Sequence, residues 1–144
     1  MRIRILYLLF FILIFCNCNG QQVEKTEAGN TKEHTFQMVS VPSVITEPEE
    51  RAAYLVKHYW DKFDFTDTTL IHFPEITEQA TSNYIDMMKY VPAKVAASSI
   101  KEMMSKASTD SSMFVYFSGL YEKYLYDPNS SMRDESLYIY VLEA

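Results

Sequence analysis

The residues with acid-base or metal-binding side chains are thinly spread, with 3 His, 2 Cys and 19 Asp plus Glu among 144 residues. His58 and Asp61 stand three apart, as do His72 and Glu75, and on a helix that spacing lets an imidazole meet a carboxylate. Hydrolytic chemistry needs more: a nucleophile beside the base and a third group to orient it. A metal centre needs three or four converging ligands. The run Asp61, Asp64, Asp67 has acids at regular intervals but lacks the central glycine and distal glutamate of a helix-flanked calcium loop, so it reads as solvated loop carboxylates. No glycine-rich phosphate loop or nucleophile elbow occurs. His34 lies in a polar stretch and reads as solvated. These residues point away from an enzyme: no catalytic residue, metal site or cofactor is assigned.

Aromatic residues are the other source of recognition chemistry. The chain has 11 Tyr, 9 Phe and 1 Trp against 3 Gly, and tyrosines at helical spacing edge a core with hydroxyl groups that need partners. Most are expected to be packing. Tyr59, Trp60 and Tyr126 are the candidate surface for a glycan or other small ligand. The formal charge of −6 repels phosphate backbones, and no cluster of lysine and arginine offsets it, which disfavours nucleic acid.

The elements that must position these groups read as helices throughout. Thr46 before Pro48 and Glu49 is a helix start, with Thr46 as N-cap and Glu49 completing a capping box. Ala52, Leu55, Val56, Tyr59, Trp60 and Phe63 then share a face. Pro74 opens a second helix with Ile76, Ala80, Tyr84, Met87, Met88 and Val91 inward. Pro92 ends it and begins a third, whose stripe of Ala93, Ala96, Ala97, Ile100, Met103, Met104 and Ala107 permits close helix approach. Ser108 or Asp110 caps a fourth. That fourth helix, with Met113, Phe114, Phe117, Leu120, Tyr121, Tyr124 and Leu125 on a broad apolar face, is the expected centre of the fold. Asp127, Pro128 and Asn129 stop it, and a fifth helix starts after Ser130 or Ser131. Arg133 is expected to fold back onto Asp127 or the helix-end carbonyls and fix the corner. Only Gly119 interrupts a helix. No alternation of period two is seen, so the fold class is all-α: a bundle of about five helices, each of about 12 to 18 residues. The apolar end of the fifth helix, residues 137–142, is expected to self-associate or to mark a chain truncated at its C-terminal end.

Ahead of the bundle, Arg2 and Arg4 precede an apolar run over residues 5–15, too short for the roughly 20 residues of a membrane span and suited to an export signal. Cys16 and Cys18 follow directly, in an arrangement that resembles a bacterial lipoprotein signal. A cleavage pocket for small side chains accepts Asn17 sooner than Phe15, so Cys18 is the expected lipidation site and Cys16 the alternative. Residues 1–17 are then the signal peptide, 18–44 a flexible tether and 45–144 the helical domain. Within the tether Phe36, Met38, Val39 and Val41 form an extended piece expected to dock on the domain. The expected location is the bacterial envelope, on the outer membrane, facing the periplasm or exterior.

The runs His58-Tyr59-Trp60-Asp61 and Phe63-Asp64-Phe65, and the corner Tyr124-Leu125-Tyr126-Asp127-Pro128-Asn129-Ser130 with Met132, Arg133 and Glu135, carry a further likeness. Over residues 41–144 the chain resembles an uncharacterised helical domain that precedes thioredoxin-like domains in exported bacterial lipoproteins. The resemblance implies a membrane-tethered interaction domain, with a thioredoxin-like domain or another envelope protein as partner. Thiol-disulfide exchange does not carry over, because no Cys-x-x-Cys pair is present to lower a thiol pKa.

Overall fold

The computed structural model describes residues 35–144, and the compact unit they belong to runs Glu33–Ala144. Cys16 and Cys18, the signal peptide and most of the tether lie outside the described residues. Among those described there are five α-helices and no strand: α1 Pro48–His58, α2 Pro74–Met87, α3 Ala93–Ala107, α4 Ser111–Tyr121 and α5 Glu135–Leu142. Short 3₁₀ turns at Thr68–His72 and Met88–Tyr90 join them, and α4 runs on into a π-helical turn at Glu122–Tyr126. The all-α bundle is therefore as the periodicity predicts, although α5 has only 8 residues.

The α4 helix sits at the middle, packed against α2, α3, α5 and the first 3₁₀ turn. Its inward residues Met113, Phe117 and Tyr121 are fully buried, as is Leu125 in the π turn. Phe114 escapes to the surface. The α3 stripe buries Ala96, Ile100, Met103, Met104 and Ala107, and its small residues let α1, α4 and α5 approach it from three sides.

Each helix end follows from local chemistry. Asp110 caps α4, its Oδ1 accepting from the amides of Ser112 at 2.8 Å and Met113 at 3.1 Å. Proline opens α1 and α2, where a missing N–H costs nothing. Thr46, by contrast, does not cap α1: the N-cap is Glu47 and no side chain bonds the first amides. The α5 start is also displaced. Ser130 Oγ donates to the Tyr124 carbonyl at 2.5 Å and accepts from Met132 N at 3.1 Å, so it is spent on the turn. Asp134 caps α5 instead, through Leu137 N at 3.1 Å.

Phe36 lies in an extended strip and inserts its ring beside Tyr59, Trp60 and Phe63, at centroid distances of 4.9, 5.4 and 6.4 Å. Trp60 meets Phe117 edge-on at 5.4 Å and Tyr84 at 5.6 Å, while Tyr59 stacks on Tyr84 at 5.0 Å. Such aromatic pairs add about 0.5 to 1.5 kcal/mol each beyond their buried area. This cluster joins the strip, α1, α2 and α4 in one core.

Candidate functional site

Tyr59 and Trp60 do not form an exposed platform. They are 2% and 3% accessible, because α1 ends at His58 and the turn that follows carries both rings inward. The expected glycan or ligand surface of Tyr59, Trp60 and Tyr126 is thereby corrected: only Tyr126, 51% accessible, faces solvent.

The polar groups that the fold brings together form two clusters and a corner. His58 Nδ1 and Asp61 Oδ2 are 2.7 Å apart, and Lys106 Nζ reaches Asp61 Oδ1 at 3.1 Å and Glu102 Oε1 at 3.0 Å. Partial burial pushes the Asp61 carboxyl up, but hydrogen bonds from His58 and Lys106 outweigh it and hold the group below its usual range. The Tyr54 ring lies 4.4 Å from the imidazole, and through Lys106 the pair ties the end of α1 to α3. His72 and Glu75 are both exposed and share no bond. Asp64 and Asp67 each accept from the amide and hydroxyl of a threonine two residues on, which turns the chain locally. Among the described residues no three of His, Cys, Asp and Glu come together as a metal-binding set.

The second cluster centres on Glu78 of α2. Its Oε1 accepts from Lys123 and, at 2.8 Å, from the Tyr124 hydroxyl. Those bonds hold the Glu78 carboxyl below its ordinary value, while burial and then the adjacent carboxylate push the Tyr124 hydroxyl up to about 12. One residue earlier, Thr77 Oγ1 lies 2.7 Å from the Tyr116 hydroxyl. The pattern clamps α2 onto α4 and its π turn.

At the corner, Asp127 Oδ1 accepts from Asn129 N at 2.8 Å and Nδ2 at 3.2 Å, and Pro128 follows the last π-helical residue by two. Asp134 N donates to the Leu125 carbonyl at 3.0 Å. The returning backbone and Ser130 therefore satisfy the helix-end carbonyls. Arg133 instead pairs with Glu135, so its expected fold-back onto Asp127 or those carbonyls is corrected: the serine and the backbone were closer to hand.

What remains open to a ligand is shallow. A notch of about 450 Å³ is lined by Gly119, Glu122, Lys123, Tyr126, Asp127 and Pro128. A groove of about 460 Å³ runs between the Phe36 strip and α2, past Asn83, Met87 and Tyr90. Beside the notch, Tyr126 stacks on Tyr138 of α5 at 5.1 Å, and α5 turns Ile139 and Leu142 outward at 51% and 68% accessibility. Sequence reasoning missed Gly119, Glu122 and Tyr138 as parts of one surface; the only signal was a glycine inside a helical pattern. No helix among the described residues is long and apolar enough to cross a membrane.

Against known proteins, the family model for the domain of unknown function DUF5106 matches residues 16–144, and the chain belongs to that family. Among solved structures it is similar to a thioredoxin-like protein from Bacteroides caccae, at 48% identity and a TM-score of 0.74 over 76% of this chain. The chain spans 40% of the length of that protein. No curated protein matches it.

Proposed function

We propose that this DUF5106 chain is a helical interaction domain, not itself catalytic, that serves a thioredoxin-like domain in the bacterial cell envelope and is held there by lipid on Cys18. The observation that carries the reading is the likeness, at 48% identity, to a protein described as thioredoxin-like and more than twice as long as the matched region. Its two cysteines, Cys16 and Cys18, are separated by one residue, a spacing unlike the Cys-x-x-Cys of thiol-disulfide exchange. The described histidines and most of the described acids have structural uses or open solvent around them, which favours contact over chemistry. A glycan-binding reading loses its support once Tyr59 and Trp60 are in the core.

The test is calorimetric titration of the detergent-held full chain with the portion of the Bacteroides caccae protein outside the matched region, produced separately and checked for folding. Micromolar binding, about −8 kcal/mol, is expected; heat indistinguishable from dilution would contradict the reading.

A further inference from the structure

We propose that the outer face formed by α4, its π-helical turn and α5 docks a protein partner that places an apolar side chain, flanked by lysine or arginine, against Gly119. The proposal rests on the reading of the chain as an interaction domain and adds where the partner lands and what chemistry selects it.

Gly119 has no evident employment within the chain. It lies inside the helical path that runs from Ser111 through Tyr126, and no described glycine has a positive φ, so its conformational freedom goes unused. Glycine inside a helix costs about 1 kcal/mol relative to alanine. A Cβ built at Gly119 meets nothing within 4 Å, so no neighbouring element demands its absence. What the missing side chain leaves is bare helix at the floor of the 450 Å³ notch, where an incoming group can reach the backbone.

The elements that carry the notch also leave apolar side chains exposed. Val115, one turn before Gly119, is 69% accessible, and Tyr126, Ile139 and Leu142 are each at least half exposed. The rim is acidic. Lys123 is engaged by Glu78, whereas no described lysine or arginine pairs with Glu122 or Asp127, and the charge of Glu122 reaches Tyr138. A second copy of a chain of net charge −6 would bring acid against acid at this rim. A partner with basic flanks gains on approach and in register.

The test uses the isotope-labelled full chain in detergent and two short blocked peptides, Lys-Leu-Phe-Lys and Glu-Leu-Phe-Glu. The basic peptide is expected to shift the amides of Gly119, Tyr126 and Ile139 with millimolar affinity, and the acidic one to bind at least about tenfold more weakly. The double variant Glu122→Lys, Asp127→Lys should invert that preference. Gly119→Ala should melt higher than the parent and bind the basic peptide about tenfold more weakly. Equal response to both peptides, shifts elsewhere only, concentration-dependent shifts of these amides without peptide, or a lower melting point for Gly119→Ala would each overturn the proposal. If the portion of the Bacteroides caccae protein outside the matched region binds a chain that ignores both peptides, the docking face is wrong and the interaction reading stands; if neither binds, both fall.

Discussion

Glu78, like Asp61, ties two partners together through its ionised carboxylate, one oxygen holding both Lys123 and Tyr124. Its pKa lies below the ordinary value in the fold, against about 4.3 in an unfolded chain. The unfolded state therefore binds the proton first as pH falls, so the stabilisation is complete above about pH 4.3 and is lost on further acidification. Glu78→Gln should cost about 0.5 to 1 kcal/mol at neutral pH, the worth of a partly exposed charged pair. It should also flatten the acid limb of stability plotted against pH; denaturant melts from pH 3 to 7 would show this, and an unchanged limb would deny Glu78 the role. Cys18 carries the other residue-scale expectation. A clickable palmitate label fed to an expressing bacterium should enter the full chain and Cys16→Ala but not Cys18→Ala; the reverse pattern would move the lipid to Cys16.

Helix ends divide into those that side chains make and those that the chain makes for itself. Asp110→Ala removes two hydrogen bonds to the first amides of α4 and should cost about 1 kcal/mol, up to about 2. Thr46→Ala should change stability by only a few tenths, because Thr46 caps nothing; paired chemical melts measure both. Which of these was legible in the sequence follows from how local each cause is. Asp110 sits directly before an apolar period, and the α3 stripe keeps helical spacing, so both are readable, although Ala93 of that stripe lies exposed and Ser99 is buried beside it. Thr77 and Thr81 are not, being polar yet completely buried: Thr81 Oγ1 donates to the Thr77 carbonyl at 2.8 Å and Thr77 Oγ1 to that of Phe73 at 3.2 Å, which hides each hydroxyl on its own helix. The α5 start was misplaced because Ser130 serves the preceding helix. Tyr59 and Trp60 keep the spacing of the apolar face of α1 and are buried with it although the helix ends at His58, so the helical period was a better guide than their ring chemistry. Gly119 was visible as an oddity, but the surface around it depends on α5 returning to stack Tyr138 on Tyr126, which no local pattern contains.

Across the whole molecule, a single aromatic core extends from the Phe36 strip to α4 and keeps three tyrosine hydroxyls from ionising. Burial pushes Tyr59 up to about 12, Tyr84 higher still, and Tyr121 well above the ordinary tyrosine value. Unfolded tyrosine ionises near 10, so between these values the folded chain holds more protons, and stability present below about pH 10 is lost as pH rises. Near-ultraviolet dichroism should therefore collapse cooperatively between about pH 10 and 12, and Tyr84→Phe should move the midpoint upward; a gradual change with all tyrosines ionising together near 10 would contradict the buried core. Against this closed interior, the α4–α5 outer face leaves Val115, Tyr126, Ile139 and Leu142 uncovered, as Met38, Val44 and Tyr90 are elsewhere, and the proposed contact role is tested by which of these surfaces a partner covers. The most direct measurement is to add the portion of the Bacteroides caccae protein outside the matched region to the isotope-labelled full chain and record which amides move. Shifts centred on Gly119, Tyr126, Tyr138 and Ile139 are predicted; shifts centred on His58, Asp61 and Lys106, or none at all, would contradict it.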